Sequence, residues 1–285
     1  MLDNSIETQN VIGVPVTALP FEAQINWILK WGRAHLSKVV CVANVHMLTE
    51  ASWDSRLASV LETADLVTPD GMPLVWMLRL LTGAAQDRVA GLDIMLAVCQ
   101  QAEREGLPVF FAGSDQLTLA KMRRHLKRDF PNLIVAGMEP LPFGSIPLPP
   151  EQEAPVLKKI QDSRAGIVFV SLGCPKQELW MAQHREDIQA VMVGIGGVFP
   201  VYAGLHKRAP RVIREIGLEW LYRLVQEPRR LWKRYYRTIP PFLWMAAKQL
   251  WQTARHPGHS VELVEGSAFV ESQSPLEQLT SGNRK

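Results

Sequence analysis

A chain of 285 residues, 47% hydrophobic and 21% charged, is long enough to bury a full core, and its mean hydropathy near zero excludes an integral membrane protein. No run approaches the roughly 18 consecutive apolar residues of a membrane span. The polar, acidic stretch from Met1 to Asn10 lacks the basic and then apolar regions of a secretory signal, so a cytosolic protein is expected. Cys41, Cys99 and Cys174 form no CxxC pair and no disulfide framework, and read as buried thiols.

Short apolar runs recur at Val11–Val16, Lys38–Asn44, Asp65–Asp70, Val109–Gly113, Leu133–Gly137, Gly166–Gly173 and Ala190–Phe199. They are rich in Val, Ile and Phe with little polar alternation, as strands buried on both faces of a parallel sheet require. Helical patterns lie between them, at Phe21–His35, Val45–Thr63, Pro73–Leu81, Asp93–Arg104, Leu117–Phe130, Glu151–Ser163 and Lys176–Arg185. This alternation predicts an α/β fold: a Rossmann-like, mostly parallel sheet with flanking helices over residues 1–203. Ligands of such sheets bind beyond the carboxyl ends of the strands. A Gly- and Pro-marked stretch then leads to helical patterns at Arg211–Glu227 and Arg229–Arg255, with Pro228 starting the second. Residues 204–255 therefore read as a helical appendage, and 256–285, rich in Gly, Ser, Glu and Gln, as a disordered tail.

Four stretches can carry chemistry. Thr68-Pro69-Asp70-Gly71 ends a strand: Gly71 permits a tight turn, and the Asp70 carboxylate is either a helix cap or a site group. Gly173-Cys174-Pro175-Lys176-Gln177-Glu178 opens a helix whose first amides, with Lys176, suit phosphate oxygens, or is a plain strand–loop–helix junction. Gly194-Ile195-Gly196-Gly197-Val198-Phe199 tempts toward a dinucleotide fingerprint. The third glycine position is Phe199, however, which points instead to close backbone packing beside a site. The fourth is basic. Lys207 to Arg237 holds ten Lys and Arg against three Glu, with Trp and Tyr interleaved. That density suits an anionic partner, a membrane surface in particular, over a merely solvated face. Arg223, Arg230, Arg234 and Arg237 would share a face if one helix ran through them. No DxD, HExxH or paired His–Cys spacing proposes a metal site, and no cofactor is expected.

Ala43-Asn44, Ala64-Asp65-Leu66, Pro69-Asp70-Gly71 and Arg88-Val89-Ala90-Gly91-Leu92-Asp93 occur in that order. Leu172-Gly173, Pro175-Lys176-Gln177-Glu178, Ala203-Gly204, Arg208-Ala209-Pro210 and Gly217-Leu218-Glu219-Trp220-Leu221-Tyr222-Arg223 follow. With these motifs the chain resembles the WecG/TagA/CpsF glycosyltransferases, family 26, from about Val11 to Pro241. The resemblance implies an inverting transferase that takes a sugar, typically N-acetylmannosamine, from a UDP-sugar. The acceptor would be a saccharide on undecaprenyl diphosphate at the cytoplasmic membrane face, in cell-surface polysaccharide synthesis, without metal. It makes Asp70 the general base, with Asn44, Gly71, Arg88 and Gln177 around the substrate. Arg223, Arg230 and Lys233 of the appendage would lie over the diphosphate. Val42 stands where the family often has Thr. Two other classes fit parts of the chain: a Rossmann oxidoreductase, against which the defective glycine pattern speaks, and a basic nucleic-acid or membrane adaptor. The resemblance favours the transferase, with no nucleic acid as partner.

Overall fold

The computed structural model describes residues 6–142, 144, 147–255 and 262–264. Six parallel strands make the central sheet: β3 (Lys38–Ala43), β4 (Leu66–Pro69), β5 (Val109–Gly113), β6 (Val135–Glu139), β7 (Ile167–Ser171) and β8 (Val191–Gly194), in the order β4-β3-β8-β7-β5-β6. Alternate side chains of each strand point to opposite faces. Val39, Cys41, Ala43, Val168, Val170 and Met192 enter one apolar layer, while Val40, Val42, Ile167, Phe169, Val191 and Val193 enter the other. The first layer is covered by α2 (Val45–Ala51), α3 (Ser55–Thr63), α4 (Met72–Thr82), α7 (Pro150–Ser163) and α8 (Lys176–Gln183). The second is covered by α1 (Phe21–Arg33), α5 (Gly91–Glu105), α6 (Gln116–Asp129) and α9 (Val198–Tyr202). Both faces being covered is what makes these strands continuous apolar runs.

Several expected elements divide. Val11–Val16 is a hairpin outside the main sheet, β1 (Ile6–Val11) antiparallel to β2 (Val14–Thr17), because Ile12 (φ 46°) and Gly13 (φ 90°) form a two-residue turn that Asn10 Oδ1 holds by accepting from Gly13 N at 2.9 Å. The stretch Val45–Thr63 breaks where Asp54 caps α3, its carboxylate accepting from Arg56 N at 3.0 Å. In Ala190–Phe199 the strand stops at Gly194 and a helical turn begins at Val198.

The appendage comprises α10 (Arg211–Glu215), α11 (Glu219–Gln226) and α12 (Pro228–Arg255), with Pro228 as the first residue of the last helix. Gly217 (φ 79°) breaks the expected Arg211–Glu227 helix. A Cβ there would stand 2.8 Å from Trp76 Cη2 and 3.0 Å from Met72 Cβ, so the turn must be glycine to lie against α4. α12 runs along α2 and contributes Phe242 and Ala246 to the first apolar layer. Gln249 joins it to the hairpin, accepting from Ile12 N (2.8 Å) and donating to Asn10 O (2.7 Å). Of the tail read as disordered, only 262–264 are described; they form β9 (Glu262–Val264), antiparallel to β1. The remainder of 256–285 lies outside the described residues. Cys41 and Cys99 are buried and Cys174 is half-buried, all as free thiols.

Candidate active site

The carboxyl ends of β3, β4, β7 and β8 open onto one cleft, a cavity of about 120 Å³ that the appendage covers. Asp70 N donates to Ala43 O at 2.7 Å, extending the parallel ladder one residue past β4, and Gly71 (φ 125°) then turns the chain and caps α4 with its backbone. The cap reading of Asp70 therefore does not hold: among the described residues no backbone amide donates to its carboxylate, which lines the cleft instead. Asn44 caps α2, its Oδ1 accepting from Met47 N at 3.2 Å, which leaves the Nδ2 donors to the cavity. Val42 lines the same wall with apolar surface.

Arg88 is held beside Asp70 because Val89 N donates to Pro69 O at 2.9 Å. Its Nη1 donates to Glu219 Oε2 at 2.9 Å and stands 3.5 Å from Asp70 Oδ1; its Nη2 is 3.5 Å from Asp93 Oδ2. Arg208 donates to Asp93 Oδ1 at 2.5 Å, and Arg223 pairs with Glu219 Oε1 at 3.0 Å. Acids and arginines thus interleave along the cleft. Burial pushes the Asp70 carboxyl up to about 6; Arg88 and Arg223 oppose that rise, and Glu219 and Asp93 add to it. Such a carboxylate is ionised at neutral pH and more basic than an exposed one, as a general base should be.

Gln177 is buried and fully engaged. Its Oε1 accepts from Gly173 N (3.2 Å) and Gly196 N (2.9 Å), while Nε2 donates to Glu178 at 2.7 Å. It ties the loop after β7 to the loop after β8; of the glycine run only Gly194 is closely packed, a Cβ there standing 2.7 Å from Met181 Cε, whereas Gly197 has open space around it. The Gly173 amide, just ahead of the helix start read as suited to phosphate, is occupied by Gln177. Lys176 is exposed and off the cleft. Burial raises Glu178 to about 7, against hydrogen bonds that favour its charged form. Among the described residues no group of three or more His, Cys, Asp and Glu side chains could hold a metal ion.

The sequence model described as the glycosyl transferase WecG/TagA/CpsF family matches residues 9–256. The chain belongs to this family of glycosyltransferases. It is also 35% identical over 205 residues, 72% of this chain and 76% of the other, to N-acetylglucosaminyldiphosphoundecaprenol N-acetyl-beta-D-mannosaminyltransferase of Bacillus spizizenii.

The appendage residues of this glycosyltransferase fall into two groups. Arg223 lines the main cavity and also a second one of about 70 Å³ beside it, whereas Arg230 lines only the second and pairs with Glu227 at 2.9 Å. Lys233 is exposed and lines neither. Its neighbour Arg234, expected only as part of the basic face, lines both. Among the described residues Arg234 pairs with no carboxylate, and its Nε is buried without a hydrogen-bond partner. Burial, then Arg223 and Arg230, lower its pKa, the strain of a cation without a counter-ion. Arg237, expected on the same face, stacks 4.9 Å from the Trp53 ring instead. The sequence signal for Arg234 was the basic run itself; which of two adjacent cations faces inward depends on how α12 is rotated against α2.

Proposed function

We propose that this glycosyltransferase moves an N-acetylmannosamine-type sugar from a UDP-sugar to a saccharide carried on a polyprenyl diphosphate, with Asp70 as general base. The acceptor hydroxyl gives its proton to Asp70 as its oxygen bonds to the anomeric carbon from the face opposite the diphosphate. The bond from that carbon to the diphosphate oxygen breaks in the same step, so the configuration inverts and UDP leaves. Arg223 and Arg234, with Lys207 and Arg230 nearby, take up the charge that develops on the departing diphosphate. Asn44 donates to the sugar, and Val42 replaces a hydroxyl contact by apolar surface, a difference that bears on donor choice. Gly71, which caps α4 and does not itself line the cleft, turns the chain behind the base, and Gln177 shapes part of the cleft wall.

The observation that carries this reading is the Asp70 carboxylate at the floor of a cleft whose roof is basic, where burial favours a carboxyl more basic than usual. The activity named for the Bacillus spizizenii relative supports the sugar and acceptor classes. The acceptor's lipid calls for an enzyme that meets a membrane surface. No helix among the described residues is long and apolar enough to cross one. The appendage leaves Trp220, Leu221, Val225, Trp232, Tyr236, Leu243 and Trp244 exposed among its Lys and Arg, which supports peripheral docking on anionic lipid at the inner face. The test is incubation with UDP-N-acetylmannosamine and a polyprenyl-diphosphate-linked N-acetylglucosamine, alongside thermal shift with UDP. Release of UDP together with a disaccharide-lipid is expected; no stabilisation by UDP and no product would overturn the proposal.

A further inference from the structure

Of the appendage residues that line the main cavity, Lys207, Arg208, Arg223 and Arg234 are basic and Glu219 alone is acidic. A carboxylate in a cleft that receives a diphosphate works against the ligand, so its place needs another reason. Each of its oxygens is committed: Oε1 to Arg223 at 3.0 Å, Oε2 to Nη1 of Arg88 at 2.9 Å. That same Nη1 stands 3.5 Å from Asp70 Oδ1, outside the usual range of an N–H···O bond. Nη1 of Arg88 therefore sits between two carboxylates and is bonded to the one that does not do the chemistry.

We propose that Glu219 is a positioning residue that draws the Arg88 guanidinium away from Asp70, so that docking of the appendage leaves the catalytic carboxylate free to take the acceptor's proton. The catalytic consequence rests on Asp70 being the base; the coupling between the three side chains does not. Without Glu219, Nη1 can close onto Asp70 in a full charge-assisted hydrogen bond. That bond would occupy the oxygen the acceptor hydroxyl needs and lower the carboxylate's basicity. The groups facing Asp70 are Arg88 from the loop before α5, Asp93 from α5, and Glu219 and Arg223 from α11, with Arg234 of α12 on the same cavity. Glu219 acts twice among them, by its own charge and by holding back the nearest cation. Both effects keep Asp70 basic, so an appendage that has swung away leaves a base already paired and quenched.

The test is a carbon-13 NMR titration of the aspartate carboxyls in the full chain, with the Asp70 resonance identified by its absence in Asp70→Asn. The midpoint is expected near 6 in the wild type, and lower by about 1–2 pH units in Glu219→Gln. In Arg88→Gln it is expected to rise, and adding Glu219→Gln to that background should move it far less than in the wild type, the mark of an effect transmitted through Arg88. Glu219→Ser carries the same expectations should the Gln variant not fold. A midpoint unmoved by loss of Glu219, or moved equally with and without Arg88, overturns the inference. The acid limb of kcat/KM should move down with the midpoint, which a purely structural role for Glu219 would not produce. Full transfer activity in Asp70→Asn would instead overturn the base assignment while leaving the titration result standing.

Discussion

Asp70→Asn separates the cost of the proposed base from its use. Burial raises the carboxyl from an ordinary 3.8 to about 6. Each pKa unit corresponds to about 1.4 kcal/mol, and cleft water screens part of it, so the ionised group destabilises the fold by about 1–3 kcal/mol. The sign follows from the direction. A carboxyl raised in the folded state favours folding while protonated, and that contribution is complete below about pH 4 and lost as pH rises through 6. Asparagine carries no charge at any pH. The variant should therefore be the more stable by about 1–3 kcal/mol at pH 8, with the advantage shrinking below pH 6 and nearly gone at pH 4. Urea denaturation of both proteins across that range measures it. Transfer should fall by about 10²–10⁴-fold, the usual contribution of a general base, while UDP affinity stays within a few-fold. Equal stability at every pH, or a variant less stable at pH 8, would refute the picture of a carboxylate held charged against its surroundings.

Replacing Arg234 by Met removes a cation that no carboxylate among the described residues pairs. Calorimetric UDP affinity or kcat/KM should drop by about 10–100-fold with no loss of melting temperature, and a marked loss of stability would show the guanidinium to be structural. Gln177→Leu orphans the Gly173 and Gly196 amides and should cost about 2–4 kcal/mol in urea denaturation; a neutral result would mean the two loops do not depend on it. Gly217→Ala forces a Cβ to within 2.8 Å of Trp76 at a positive φ. Limited proteolysis should cut α10–α12 faster, while the body melts within a few degrees of the wild type.

The layered architecture was legible because its strands are buried on both faces, and a run such as Lys38–Asn44 can be little else. The hairpin was not, since a β-branched Ile12 at positive φ is a turn residue that propensity argues against. The break at Gly217 was missed for a different reason: its cause is the ring of Trp76, some 140 residues earlier in the chain. At the cleft, sequence left Asp70 open between cap and site group, and the ladder bond from Asp70 N to Ala43 O, with Gly71 taking over the cap, removes the first of these. Glu219 read only as a charge opposing the basic run. Its bond to Arg88 crosses 131 residues, and no local pattern announces it. The same holds for Gln177, whose two amide contacts come from different loops.

The bond between Gln249 and the hairpin spans 237 and 239 positions. During synthesis the hairpin must therefore wait for α12, because the apolar side that α2 offers to Phe242 and Ala246 stays open to water until then. A chain stopped between residues 204 and 227 would hold every strand of the sheet and Asp70 but leave the cleft without Arg234 or its long covering helix. Such a fragment would carry the proposed base and lack the cations proposed to stabilise what leaves. Full activity would thus await α12, and termination before it would release an idle, aggregation-prone body rather than a half-working enzyme.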